Sequence, residues 1–143
     1  MTVKDMLDNW KLMSLSREFD LYIKEFAKTD EAVGYLHTSI GQEASSVGQA
    51  FLLGIDDHIL GSHRSHGEIL AKGMSAIRKL DDDSLIEIME NFLGGDCYRV
   101  VEKQGSDSVK DLARNFLLYG ALAEIFGREN GFNRGLGGSM HAF

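Results

Sequence analysis

The chain contains no proline, one cysteine and one tryptophan, and its 15 Lys and Arg are outnumbered by 22 Asp and Glu. Each shortage excludes something. Without proline the turns fall to other residues, and the 16 glycines are the obvious supply, because glycine enters left-handed conformations without steric cost. A lone Cys97 closes no disulfide within the chain, so a reducing cytoplasm is the expected setting. A formal net charge of −7 leaves no basic surplus to neutralise phosphates, so neither nucleic acid nor an anionic membrane is expected as a partner. No apolar run approaches the roughly 20 residues that span a bilayer. The opening "MTVKDMLDNWKLM" places acids among its apolar positions, unlike a signal peptide.

What is present suits one folded domain: 143 residues, 43% hydrophobic and 26% charged, values usual for a globular protein with a core. Its pattern is helical. Thr2 and Asp5 form a capping pair, and Leu12, Leu15, Phe19, Tyr22 and Phe26 alternate steps of three and four, predicting one buried face on a helix that ends near Lys28 to Asp30. "GYLHTSIG" reads as an ordered loop or a short extended segment. A helix from Gln42 to Leu53 would bury Ala44, Val47 and Phe51, with Gly48 allowing close packing. The next would begin at Ser65 or His66 and be closed by Gly73 after Lys72. Ser84 and Glu87 read as a capping box for a helix carrying Leu85, Ile88, Met89 and Phe92, and "GGDCYRVVEKQGSDS" as a polar connection. A long helix opens at Ser108 with Asp111 and carries Val109, Leu112, Phe116, Tyr119, Ala123 and Phe126. Five glycines in the last 17 residues exclude a regular helix there. No alternation of strand and helix marks a parallel sheet, so the residues present are expected to be mainly α.

The stretch "GSHRSHGEILAKG", residues 61 to 73, crowds His63, Arg64 and His66 at a turn ahead of a helix. Three readings stand. A metal site lacks support, because His63 and His66 have no H-E-x-x-H partner pattern and Cys97 has no second cysteine. An anion site is favoured by the position: a helix start offers free N–H groups and the positive end of the dipole, and a guanidinium grips two phosphate oxygens at once. A solvated basic turn is the bland alternative. "GLGGSMH", near the end, is neither a Walker motif nor a G-x-G-x-x-G fingerprint.

Taken in order, "HTSIGQEASSVGQAF", "DDHILGSHRSHGEILAKG" and "AEIFGRENGFNRGLGGSMHAF" resemble the N-terminal part of the alpha subunit of thiamine diphosphate-dependent 2-oxo acid dehydrogenases, the pyruvate and acetoin type. The resemblance implies the N-terminal portion of an α/β thiamine diphosphate-binding fold. It implies that His63 and Arg64 contact the cofactor diphosphate, and that His66, beside the active site, and His141, on a loop at the cofactor and substrate entrance, are catalytic. Gln42 and Glu43 fall in a supporting segment. The implied partners are a beta subunit or fused beta part, a lipoyl-bearing acyltransferase and a small 2-oxo acid, within an oligomer.

Two departures accompany the likeness. About residues 74–118 look like a helical insert between segments that the family joins more directly. The family's magnesium motif, G-D-G and a later asparagine, lies beyond the G-G-S-M-H loop, so the magnesium ligands and the activating glutamate are expected outside this chain; Gly95, Asp96 and Cys97 are no substitute. The expectation is an N-terminal piece of the enzyme, inactive alone. The rival reading is a non-catalytic helical binding or assembly module.

Overall fold

The computed structural model describes residues 1–29 and 36–141; Asp30, the far edge of the expected end of the first helix, and the first residues of "GYLHTSIG" lie outside them. Six α-helices account for most of the described chain: α1 (Val3–Phe26), α2 (Glu43–Phe51), α3 (His66–Lys79), α4 (Asp82–Asn91), α5 (Asp96–Val101) and α6 (Val109–Ile125). There is no strand among the described residues, so the residues present are mainly α.

Local chemistry sets three of the six helix starts. Thr2 and Asp5 exchange both capping-box bonds at the head of α1, and the Ser108 hydroxyl accepts from Asp111 N at 3.1 Å at the head of α6. These bonds satisfy N–H groups that an α-helix leaves unpaired in its first turn. The expected Ser84–Glu87 box is corrected: the cap of α4 is Asp81, whose carboxylate accepts from Ser84 N at 2.7 Å. Three consecutive acids, Asp81 to Asp83, made the register ambiguous, and the first in an extended conformation took the role.

Two glycine assignments exchange places. Gly73 does not end α3, which runs on to Lys79. A Cβ at Gly73 would stand 2.6 Å from Leu117 Cδ2, so the glycine is where α3 and α6 cross closely. Gly48 is the reverse: it is exposed, with nothing near the place a Cβ would occupy. The buried face of α2 is Glu43, Ser46, Val47 and Ala50, not Ala44 and Phe51. On α1 the buried positions Ser16, Phe19, Asp20 and Ile23 follow the helical spacing but include two polar residues, which moves the stripe off Tyr22, 57% exposed.

The main core joins Phe19 and Ile23 of α1, Leu70 of α3, Leu85 and Met89 of α4, and Phe116 and Leu117 of α6. The expected polar connection after α4 is corrected in part. Residues 93–95 take left-handed backbone, Leu93 among them, and turn the chain into α5, which buries Cys97 and Val101 in the same core. Only two apolar side chains of this short helix face inward, too few for its period to stand out. Burial pushes the Cys97 thiol up to about 12, so it is an inert core group. Phe26 stacks on Phe126 with ring centroids 3.8 Å apart, tying the end of α1 to the end of α6.

Candidate functional site

Three loops meet beside the N-terminus of α3: residues 36–41, the turn 61–65, and the glycine-rich stretch 127–141. What gathers them is a set of buried polar side chains rather than apolar contact.

Glu124, in the last turn of α6, is fully buried. Its Oε2 accepts from Asn133 N at 2.8 Å and Gly135 N at 2.7 Å, and its Oε1 from Gly137 N at 2.8 Å and Gly138 N at 3.2 Å. One carboxylate thus supplies acceptors for four backbone donors that no helix or sheet could satisfy, and charge-assisted bonds of this kind are the stronger class. The glycines are required by close approach. A Cβ at Gly131 would lie 2.5 Å from the Glu124 backbone, and one at Gly135, where φ is +73°, would lie 2.5 Å from Gly127 C. Phe132 anchors the loop below, packed over Gly120 and against Phe92 and Phe116.

His66, the first residue of α3, is also buried. Its Nε2 donates to the Ser139 carbonyl at 2.9 Å, and its Nδ1 faces Asp20 Oδ1 at 3.3 Å. Asp20, fully buried on α1, accepts through Oδ2 from Ser39 N at 2.7 Å and Ser39 Oγ at 2.6 Å. Ser139 in turn accepts at Oγ from His37 N at 3.2 Å. This chain of contacts ties α1, the 36–41 loop, α3 and the glycine-rich loop at one point. Glu43 makes a second tie: it pairs with Arg17 and accepts from Gly41 N at 3.1 Å. The Arg17 guanidinium, helped by backbone N–H groups, lowers the Glu43 carboxyl to about 2.

The four residues expected at the site are placed differently from one another. His63 and Arg64 are exposed on the turn, and the His63 ring meets that of His37 edge-on, centroids 5.4 Å apart. Ser65, which precedes α3, makes no side-chain capping bond. The turn therefore presents a guanidinium and an imidazole ahead of a helix start that has no side-chain cap, with Ser65, His66 and Gly67 themselves buried. His66 is engaged through both nitrogens inside the protein. His141 is exposed and, with Met140, lines a cavity of about 240 Å³ whose other wall is residues 59–62, Ser65 and Ile69; His63 and Arg64 do not line it. Among the described residues no group of three His, Cys, Asp or Glu is placed to hold a metal ion. Asp20, Ser139 and Glu124 were not singled out from the sequence. The one available signal was a charged residue inside an apolar helical stripe, which Asp20 and Glu124 both are.

A helical domain that assembles an exposed cationic turn and a glycine-rich loop over a helix start has the make-up of a site for an anionic group. The sequence profile of the family described as "Dehydrogenase E1 component" matches residues 11–113, and the chain belongs to that family. Among curated proteins it is similar to the pyruvate dehydrogenase E1 component subunit alpha of Rhizobium meliloti, 28% identical over 140 residues, which covers 98% of this chain and 28% of that protein. The mitochondrial subunit alpha of Schizosaccharomyces pombe is 26% identical over 99% of this chain and 24% of its own length. The Porphyra purpurea subunit alpha is 25% identical over the whole of this chain and 29% of its own. The chain thus spans 24% to 29% of the length of these relatives. No solved structure matches it significantly.

Proposed function

We propose that this chain supplies the diphosphate-binding turn and the entrance loop of a thiamine diphosphate-dependent 2-oxo acid dehydrogenase, the component that decarboxylates a 2-oxo acid and passes the acyl group to a lipoyl group. The observation that carries the reading is the 61–66 turn, where an exposed Arg64 and His63 stand ahead of an uncapped α3. The fit to a diphosphate is chemical: a two-pronged cation, a ring donor and helix N–H groups are the donors such an anion takes. When bound, the cofactor supplies the electron sink for loss of carbon dioxide. Arg64 and His63 hold its diphosphate. His66 is a positioning residue, since both its nitrogens serve internal contacts that fix Ser139 and hence the loop bearing His141. His141 stands at the entrance, where its ring nitrogens can donate or accept a hydrogen bond.

Magnesium, which a diphosphate requires for charge balance, is expected to take its ligands from outside these residues. The complete assembly contains a beta part, in a second chain or fused, and docks a lipoyl-bearing acyltransferase. Pyruvate or acetoin is the substrate type suggested by the G-G-S-M-H loop. Residues 74–118 are read as an insert; its edges fall inside α3 and α6, so it lengthens both helices and adds α4 and α5. A cytoplasmic setting accords with the single thiol. The 143 residues by themselves are expected to release no carbon dioxide from a 2-oxo acid.

The test uses the complete enzyme. Arg64→Ala should weaken thiamine diphosphate about 10- to 150-fold with little change in melting temperature, as expected for loss of a charge-assisted contact. Arg64→Lys should recover only part, because a point charge lacks the fork geometry. Unchanged cofactor affinity in Arg64→Ala would remove the diphosphate role and favour a non-catalytic module.

A further inference from the structure

We propose that the groove between α1, α3 and α6 docks an acidic amphipathic helix of another polypeptide. The groove encloses about 490 Å³ and shares no lining residue with the 61–66 turn. Leu12, Leu15, Met74 and Ile77 form its floor. Around them stand Lys4, Lys11, Arg78, Lys110 and Arg114 against a single acid, Asp8. In a chain of net charge −7, five cations around four apolar side chains make this the place where an acidic partner is drawn in while the remaining surface repels it.

The charges are held in place. Lys110 Nζ donates to the carbonyls of Ile77, at 2.7 Å, and Leu80, which fixes it over the C-terminal end of α3. Asp8 is shared between Lys4 at 2.8 Å and Arg78 at 3.5 Å, so one acid answers two cations. Arg114 pairs with Asp111 at 2.6 Å yet remains half-exposed. Lys11 has no ion pair among the described residues, and it borders the floor directly. These positions leave a cationic surplus facing outward.

The spacing selects a helix over other anions. Lys4 and Lys11 are seven residues apart on α1, about 10 Å along the axis. A single carboxylate or phosphate head reaches one of them, whereas acids on two turns of a partner helix span the same distance, with apolar residues at i, i+4 and i+7 facing the floor.

The experiment titrates the chain, methyl-labelled at Leu, Ile and Met, with a short side-chain-stapled amphipathic helix carrying Leu at i, i+4 and i+7 flanked by Glu. A second helix replaces each Glu with Lys. The expected result is binding of the Glu helix alone, weakened by salt, with methyl shifts confined to Leu12, Leu15, Met74 and Ile77. Lys11→Glu combined with Arg114→Glu should weaken binding at least tenfold while circular dichroism is unchanged. Equal binding of both helices, shifts elsewhere, or no binding would overturn the proposal. So would the same four methyls responding to decanoate or to phosphatidylglycerol vesicles as strongly as to the Glu helix.

Discussion

The two ends of α6 are held by opposite means. Its N-terminal half lies against α4 and α5, where Phe116, Leu85, Met89, Cys97 and Val101 exclude water through apolar area. Its last turn holds the glycine-rich loop through Glu124, a buried charge with four hydrogen bonds. Apolar packing is non-directional and tolerates adjustment, while a carboxylate bonded to four N–H groups specifies one loop path. The loop that carries the candidate chemistry is thus defined by directed bonds, and the part that carries none is defined by volume.

Removing each device should separate them. Glu124→Ala is expected to have the largest effect, about 3–5 kcal/mol, since it strands several buried donors at once. Its distinguishing mark is loss of order in residues 133–138 by amide NMR, and an unperturbed loop would refute the contrast. Phe116→Ala should cost about 3 kcal/mol, at the low end for a buried aromatic because the residue keeps 8% exposure. Through the Phe116–Phe132 contact it should loosen the loop amides, but less than Glu124→Ala does, as read by chemical denaturation alongside the same spectra.

Glu43 supplies a pH-dependent member of the polar set. Its carboxyl is lowered from 4.5 to about 2 in the folded chain. The stabilisation is therefore complete above about 4.5 and lost as pH falls towards 2, because the unfolded state takes up the proton first. Discounted for the half-exposed Arg17, it amounts to about 1–2 kcal/mol. Glu43→Gln should flatten the fall in melting temperature between pH 4.5 and 2, and an unchanged acid limb would count against the Arg17 tie.

The smallest effects come from the two exchanged glycines. Gly48→Ala should stabilise by about 0.5–1 kcal/mol, since the position is open and helical. Gly73→Ala should destabilise by about 1 kcal/mol, because the clash with Leu117 exceeds the gain in helix propensity. Thermal melts that ranked them the other way would undo the assignment of the α3–α6 crossing.

Those glycines also show where the sequence stops being legible. Helix existence was readable for α1, α2, α3, α4 and α6, because apolar spacing and capping pairs are local properties. Whether a glycine ends a helix or admits a neighbouring one depends on what lies across from it, and Leu117 is 44 positions from Gly73. The short α5 left no period to read. At the site, the cationic turn was visible as a cluster of residue types, and the glycine-rich loop as a composition. The acids that hold them were not. Asp20 and Glu124 are ordinary charged residues until Ser39 and residues 133–138 return to meet them; Glu124 stands in a segment that carries the resemblance, "AEIFG", but the resemblance gives it no role.

The shared acceptor at Glu124 has a kinetic consequence. Amides in an ordinary loop exchange with solvent deuterium independently, each at the rate of its own local opening. Asn133, Gly135, Gly137 and Gly138 all donate to one carboxylate, so freeing them requires the same event, withdrawal of that side chain or lifting of Phe132 from Gly120. Corrected for intrinsic chemistry, their protection should converge on one opening free energy. The loop would then open as a unit, and access past His141 would be gated by a single equilibrium.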